Sequence, residues 1–225
     1  MKIAVIPDQH QHTHWKKIIP RIDEFDKIIF LGDYFDDWKN KWPHQMTNFL
    51  SIIKFKKENL EKVDLLWGNH ETSYYHDEQC SGYQYEHYFE IVEVLRKNKN
   101  LLEVVSIYDK WIFCHAGVSE AWMKCAAITD VNSINDLFKE RPNYFRWVGP
   151  HGAGDNYNEG PLWIRPNALM ANAVDNYHQC VGHTELAVGP TSYLRNDCYF
   201  VYTDTREHNY VTIIDTETND IRHEV

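Results

Sequence analysis

Residues 28–33 read Ile28-Ile29-Phe30-Leu31-Gly32-Asp33, and residues 65–71 read Leu65-Leu66-Trp67-Gly68-Asn69-His70-Glu71. Each is a run of large apolar residues that stops at a glycine and gives way at once to side chains offering oxygen or nitrogen. Runs this short, rich in β-branched and aromatic residues, read as buried strands. The design recurs along the chain. Ile3–Ile6 is followed by Pro7 and Asp8-Gln9-His10, Ile112–Cys114 by His115-Ala116-Gly117, and Gln179–Val181 by Gly182-His183-Thr184.

Between the first runs lie stretches with helical spacing. Trp15–Phe25 and Met46–Leu60 carry apolar residues at intervals of three and four, with lysines on the other side. Strand–helix–strand order predicts an α/β fold with a parallel sheet covered by helices. In such a sheet the C-terminal strand ends share one edge, and ligands gather in the crevice there. Further on, Tyr199–Tyr202 and Tyr210–Ile214 read as strands. A loop over Asp204–Tyr210 and a tight turn at Glu217–Asp220 predict a hairpin meander. Thr72–Lys99 is rich in Tyr, His and Glu. Residues 121–173, rich in Gly, Pro and aromatic side chains, predict loops and short helices forming a lid. No internal repeat or Gly/Ser linker interrupts the chain, so residues 1–225 are expected to form a single domain.

Bulk properties narrow the function classes. A chain of 225 residues supports one substantial core, with at most a small appended subdomain. The net charge of −10 excludes a broad phosphate-backbone interface and so argues against general nucleic-acid binding. A pocket for one phosphate remains open, because metal ions can supply positive charge locally. No stretch approaches membrane-spanning length. The opening Met1-Lys2-Ile3-Ala4-Val5-Ile6-Pro7-Asp8 turns polar too early for a signal peptide. A soluble, cytoplasmic protein is expected. The five cysteines are odd in number and form no Cys-x-x-Cys pair. That predicts buried free thiols, with neither a disulfide framework nor a zinc ribbon.

The strand-end side chains would bring Asp8, His10, Asp33, Asn69, His70, His115 and His183 into one volume. Carboxylate, imidazole and amide oxygen suit borderline divalent ions such as manganese, iron and zinc. One carboxylate can bridge two ions about 3.5–4 Å apart, which together hold the attacking and leaving oxygens of an in-line displacement.

The ordered set Asp8-x-His10, Gly32-Asp33, Gly68-Asn69-His70-Glu71, His115 and Gly182-His183 resembles the calcineurin-like metallophosphoesterase superfamily, over residues 1 to about 216. The details are most similar to the phosphoprotein phosphatase branch, including its small phage and bacterial members. Gly-Asn-His-Glu is that branch's form. Leu162-Trp163-Ile164-Arg165 resembles its Leu-Trp-x-Arg or Leu-Trp-Ser-Asp segment, and Asp204-Thr205 followed by Tyr210–Asp215 resembles its closing strands. Gly182-His183-Thr184-Glu185 has one histidine, where nuclease and cyclic-phosphodiesterase branches read Gly-His-x-His.

The resemblance implies mixed, sandwich-like central β-sheets flanked by helices, with an aromatic-rich lid. It implies two divalent metal ions, manganese first, with iron, zinc or nickel as alternatives. Asp8 and His10 would hold the first ion, Asp33 would bridge, and Asn69, His115 and His183 would complete the second. His70 would protonate the leaving oxygen after attack by a metal-activated hydroxide, with Asp36 orienting it. The substrate would be phosphorylated, either a phosphoprotein or a small phosphoester or nucleotide.

Three positions depart from the branch. Pro7 and Gln11 replace two glycines around Asp8-Gln9-His10. Asp37 stands where the branch has the arginine that clamps phosphate. Arg165 is the remaining candidate clamp, with Arg141 and Arg146 as substitutes from the lid. The lost arginine keeps two other readings open: a phosphodiesterase or phosphoanhydride hydrolase acting on cyclic nucleotides or dinucleoside polyphosphates, and an inactive metal-binding adaptor for a phosphorylated partner. Plainer readings apply elsewhere. His12 and His14 read as part of a histidine-rich tract. Tyr74, Tyr75, Tyr83, Tyr85 and Tyr88 read as packing, as do Trp111, Trp122, Trp147 and Trp163.

Overall fold

Alternation along the first strand sets the layers. In β1 (Lys2–Ile6), Ile3 and Val5 face one way, Ala4 and Ile6 the other, and all four are buried. A strand buried on both faces lies between two layers. The computed structural model describes residues 1–10, 12–36, 42–148, 155–205 and 209–225.

The remaining strands are β2 (Lys27–Phe30), β3 (Val63–Leu66), β4 (Leu102–Glu103), β5 (Val105–Tyr108), β6 (Trp111–Cys114), β7 (His178–Val181), β8 (Thr191–Arg195), β9 (Cys198–Tyr202), β10 (Val211–Asp215) and β11 (Asp220–Glu224). They form two mixed sheets. The first runs β11-β10-β1-β2-β3-β4, with β1 to β4 parallel and an antiparallel β10–β11 hairpin beside β1. The second runs β5-β6-β7-β9-β8, with β6, β7 and β9 parallel between antiparallel edges.

Ile3, Val5, Ile29 and Leu31 of the first sheet share a core with Trp111, Phe113, Cys180 and Val201 of the second. The sheets are therefore stacked face to face, and burial of these side chains contributes about 1.5–3 kcal/mol for each large one. The alternate residues Ala4, Ile6, Ile28 and Phe30 pack with α1 (Trp42–Glu58) and α3 (Tyr88–Asn98). Ile112, Cys114 and Val181 join Trp122, Leu137 and Leu169 from α4 (Glu120–Cys125), α5 (Ile134–Glu140) and α6 (Pro166–Asn172). The mixed, helix-flanked sandwich implied by the resemblance is what forms.

Several expectations need correction. A single parallel sheet does not form, because the five strands that precede the candidate ligands divide between two sheets. The loop after Asp204 joins no hairpin: β9 lies in the second sheet and β10 in the first. The tight turn at residues 217–220 does close a hairpin, between β10 and β11. Residues 14–24 form a 3₁₀ segment rather than an α-helix. Its Trp15 and Ile18, three apart, fall on one side of that tighter helix and are buried. Strand β8 had no apolar run to reveal it, and most of it is exposed. Residues 121–173 do contain short helices; 149–154, within that stretch, lie outside the described residues. All five cysteines are free, but only Cys114 and Cys180 are buried. Among the described residues no helix is long and apolar enough to cross a membrane.

Candidate active site

The C-terminal ends of β1, β2 and β3 meet those of β6, β7 and β9 at one rim. Local hydrogen bonds lock the two sheets together there. His115 Nδ1 lies 2.9 Å from the Leu31 carbonyl across the two sheets, while within the second sheet the Gly182 N–H donates to the His115 carbonyl at 2.8 Å. The His183 N–H donates to both oxygens of the Asp8 carboxylate at 3.1 and 3.0 Å. Residues up to 175 positions apart are thereby placed in contact.

Asp33 is the hub. Its Oδ2 lies 3.4 Å from His115 Nε2, 3.7 Å from His10 Nε2 and 3.8 Å from His70 Nε2. Its Oδ1 accepts the His70 backbone N–H at 3.0 Å. Burial alone would raise the pKa of this carboxyl. The rings of His115, His70 and His10 when protonated, together with the backbone N–H, outweigh it and hold Asp33 well below the usual carboxylate range.

A second cluster adjoins it. Asn69 Oδ1 lies 2.7 Å from His115 Nε2 and 2.9 Å from His183 Nδ1, and the two ring nitrogens are 3.2 Å apart. Each ring is fixed from behind: His115 Nδ1 by the Leu31 carbonyl, and His183 Nε2 by the Trp163 carbonyl at 3.1 Å. A carbonyl only accepts, so those nitrogens carry the protons. The opposite nitrogens then present lone pairs toward each other and toward the amide oxygen. Burial lowers the pKa of both rings, and of His10 as well, favouring the neutral form that ligates metal.

Converging lone pairs repel, and so do converging carboxylates. The pKa of Asp8 is raised well above normal by burial first, then by the charges of Asp204 and Asp33. A cation relieves both repulsions at once. His10, Asp33 and His70 form one group able to hold a metal ion, and Asp8, Asp33 and His115 form another. The donor set therefore fits two divalent ions sharing Asp33.

His70 also makes a separate pair. Its Nδ1 lies 2.9 Å from Asp36 Oδ2, while its Nε2 faces the Asp33 cluster. Asp36 is fully buried, and its other oxygen accepts from the Tyr74 hydroxyl at 2.5 Å. Burial works against a charged His70. Asp33 and the bond to Asp36 more than offset it, and the ring's pKa is raised well above its ordinary value.

The supporting scaffold is strained and tightly packed. His10, Asp33, Asp36 and His183 all have positive φ, at 34°, 50°, 67° and 63°. Such residues cost about 1–3 kcal/mol each and persist only where their surroundings over-determine them. Glycine is required at two close approaches. A Cβ on Gly68 would sit 2.1 Å from Asp33 Oδ1, and one on Gly182 would sit 2.0 Å from Asp8 Oδ1.

Glu71 supplies much of that determination. It occupies the third position of α2 (Asn69–His76) and is fully buried. Its Oε2 accepts from the N–H groups of Asp33 at 2.9 Å and Gly68 at 3.0 Å. Its Oε1 accepts from those of Tyr34 at 2.7 Å and Phe35 at 3.3 Å. Nothing in the Gly68-Asn69-His70-Glu71 resemblance assigns Glu71 a role. The signal was a glutamate three residues after the helix start, the spacing that reaches back to the first N–H. Asp204 was also missed as a site residue. It is buried, follows β9, and acts electrostatically on Asp8, His10 and His115. The run Tyr199–Tyr202 ending in Thr203-Asp204 repeats the strand-end pattern and was the available clue.

The three arginines are placed differently. Arg165 donates to Thr184 Oγ1 at 3.3 Å, and its charge is felt by His183. Arg146 bonds the His76 carbonyl at 2.9 Å and pairs with Glu78 at 2.8 Å, and Arg141 stacks on Tyr144. Asp37 lies outside the described residues. Trp111 and Trp122 are core residues, as read from sequence, and so is Tyr74, stacked on Tyr83. Trp163 instead borders the site, its ring edge-on to His183 at 6.0 Å, with half-exposed Trp147 beyond it.

The model of the calcineurin-like phosphoesterase family matches residues 1–205. The chain belongs to that family. It is a phosphoric ester hydrolase by membership, and the family uses dinuclear metal centres. A search of curated protein sequences returns no match. Solved structures share the fold of this phosphoesterase. A cold-active protein-tyrosine phosphatase from the psychrophile Shewanella sp. is 15% identical, with 99% of this chain and 77% of that chain covered and a TM-score of 0.59. A protein serine/threonine phosphatase from Saccharomyces cerevisiae is 13% identical, with coverage of 100% and 79% and a TM-score of 0.60. A protein with a provisional diadenosine tetraphosphatase assignment is 11% identical, with coverage of 99% and 92% and a TM-score of 0.51.

Proposed function

We propose that this phosphoesterase is a dinuclear-metal phosphatase that hydrolyses phosphomonoesters in the cytoplasm, with manganese as the working ion. The observation that carries the reading is the convergence of Asn69 Oδ1, His115 Nε2 and His183 Nδ1 beside the Asp33 carboxylate. Asp8 and His10 would hold one ion, Asn69, His115 and His183 the other, and Asp33 both. When bound, the ions would supply positive charge for the phosphoryl oxygens and acidify a water.

The chain's own groups supply the rest. Asp36 accepts a hydrogen bond from the Nδ1–H of His70, which orients the ring so that its Nε2 proton is aimed at the Asp33 cluster and available to a leaving oxygen. Arg165, on the segment that also fixes His183, is the candidate clamp for substrate phosphate. Residues 121–173 would act as the lid of a single 1–225 domain. An inactive adaptor would have no use for a buried Asp36–His70 pair.

The test is a substrate panel on metal-reconstituted protein: p-nitrophenyl phosphate, a phosphopeptide, bis-p-nitrophenyl phosphate and diadenosine tetraphosphate, with and without chelator. Manganese-dependent turnover of the monoesters supports the proposal. Preference for the diester or the tetraphosphate would support the second reading, favoured by Asp37 at the usual arginine position. No divalent-dependent turnover of any of them would overturn both.

A further inference from the structure

We propose that Cys80, His70 and Asp36 form a third metal site, selective for thiophilic ions of the zinc and cadmium type, whose occupation shuts off the general acid. Cys80 Sγ lies 3.4 Å from His70 Nδ1 and 3.4 Å from Asp36 Oδ2, and the latter two atoms are 2.9 Å apart. The three side chains form a group whose ligand atoms all fall within 4.8 Å of one another.

Tetrahedral zinc holds sulfur at about 2.3 Å and nitrogen or oxygen at about 2.0–2.1 Å, so its ligand atoms sit roughly 3.3–3.6 Å apart. Both sulfur spacings already match. The His70–Asp36 spacing needs to open by only about half an ångström. Asp36 is sealed from solvent, while Cys80 is partly exposed, so an ion enters from the thiol side. Asp36 Oδ1 keeps its bond from the Tyr74 hydroxyl, and water completes the fourth position.

The ligand chemistry separates this site from the dinuclear cluster. Asp8, His10, Asp33, Asn69, His115 and His183 offer only oxygen and nitrogen, suited to manganese, whereas a thiolate selects zinc or cadmium. Binding replaces the thiol proton of Cys80 and the Nδ1 proton of His70, and both leave to solvent. The sulfur and Nδ1 lone pairs then go to the ion. With Nδ1 so occupied, His70 can no longer become the imidazolium that protonates a leaving group. This inhibitory consequence rests on the proposed role of His70; the binding itself does not.

The experiment adds cadmium to manganese-saturated protein and follows the thiolate-to-cadmium charge-transfer absorption. One equivalent should produce the band. It should vanish in Cys80→Ser and in Cys80→Ala, and persist in Cys125→Ser, which removes the exposed cysteine. It should also persist in Asn69→Ala, which damages the dinuclear cluster alone. No band in the wild type, or an equal band in folded Cys80→Ser, overturns the site. In turnover assays, the zinc concentration giving half inhibition should rise at least tenfold in Cys80→Ser, each protein being normalised to its own uninhibited rate. Equal zinc sensitivity would overturn the inhibitory role. If no substrate turns over, the phosphatase reading fails while the band still decides the site.

Discussion

His70 Nδ1 lies 2.9 Å from the wholly buried carboxylate of Asp36, while its Nε2 faces Asp33 3.8 Å away. One nitrogen is held and the other is presented. His70→Asn should lower turnover by about 10²–10⁴-fold on substrates with poor leaving groups, and much less on p-nitrophenyl phosphate. Its metal content should match the wild type, and loss of metal would show that His70 is a ligand instead. The hydrogen bond to Asp36 favours the imidazolium, so the acid form persists to higher pH with Asp36 present. Asp36→Asn should therefore shift the basic limb of the pH–rate profile to lower pH by about one unit. A shift to higher pH would contradict this orientation.

Glu71 accepts four backbone N–H groups, three from the loop that carries Asp33 and one from Gly68. A glutamine has one acceptor oxygen, and its NH₂ would face N–H donors. Glu71→Gln should cost about 1–3 kcal/mol in denaturant unfolding and weaken manganese binding through Asp33. An unchanged midpoint and unchanged metal affinity would remove Glu71 from the scaffold.

Gly182 allows the Asp8 carboxylate to sit against the backbone entering His183. Gly182→Ala puts a methyl into that contact, and over-packing of this kind costs about 1–3 kcal/mol. On the proposed assignment, metal titration should show the ion that Asp8 and His10 would hold weakened more than the other. Equal weakening of both would point to general distortion.

Arg165→Ala should raise KM on monoesters about tenfold with little change in kcat, because a clamp that grips substrate and transition state alike acts on binding. A loss confined to kcat would move Arg165 into transition-state stabilisation. Unaltered kinetics would leave its bond to Thr184 as its role.

The convergence of the site's side chains was legible because each candidate ligand follows a strand, and strand ends are local sequence features. Asp8, Asp33, Asn69, His115 and His183 could be found one at a time without knowing what lay beside them. The division into two sheets was not legible. The apolar runs of β9 and β10 look alike, and nothing local says that the chain crosses between sheets from one to the other. Glu71 was hidden for a related reason, since its partners Tyr34 and Phe35 are backbone amides more than 35 residues away. Cys80 meets His70 only through the path of the chain after α2, a tertiary contact that thiol spacing does not reveal.

The most direct test of the central claim is anomalous scattering from crystals grown with manganese. Two peaks about 3.5–4 Å apart are predicted, with the Asp33 carboxylate between them. Asp8 and His10 should contact one peak, and Asn69, His115 and His183 the other. A single peak, or metal bound away from Asp33, would contradict it.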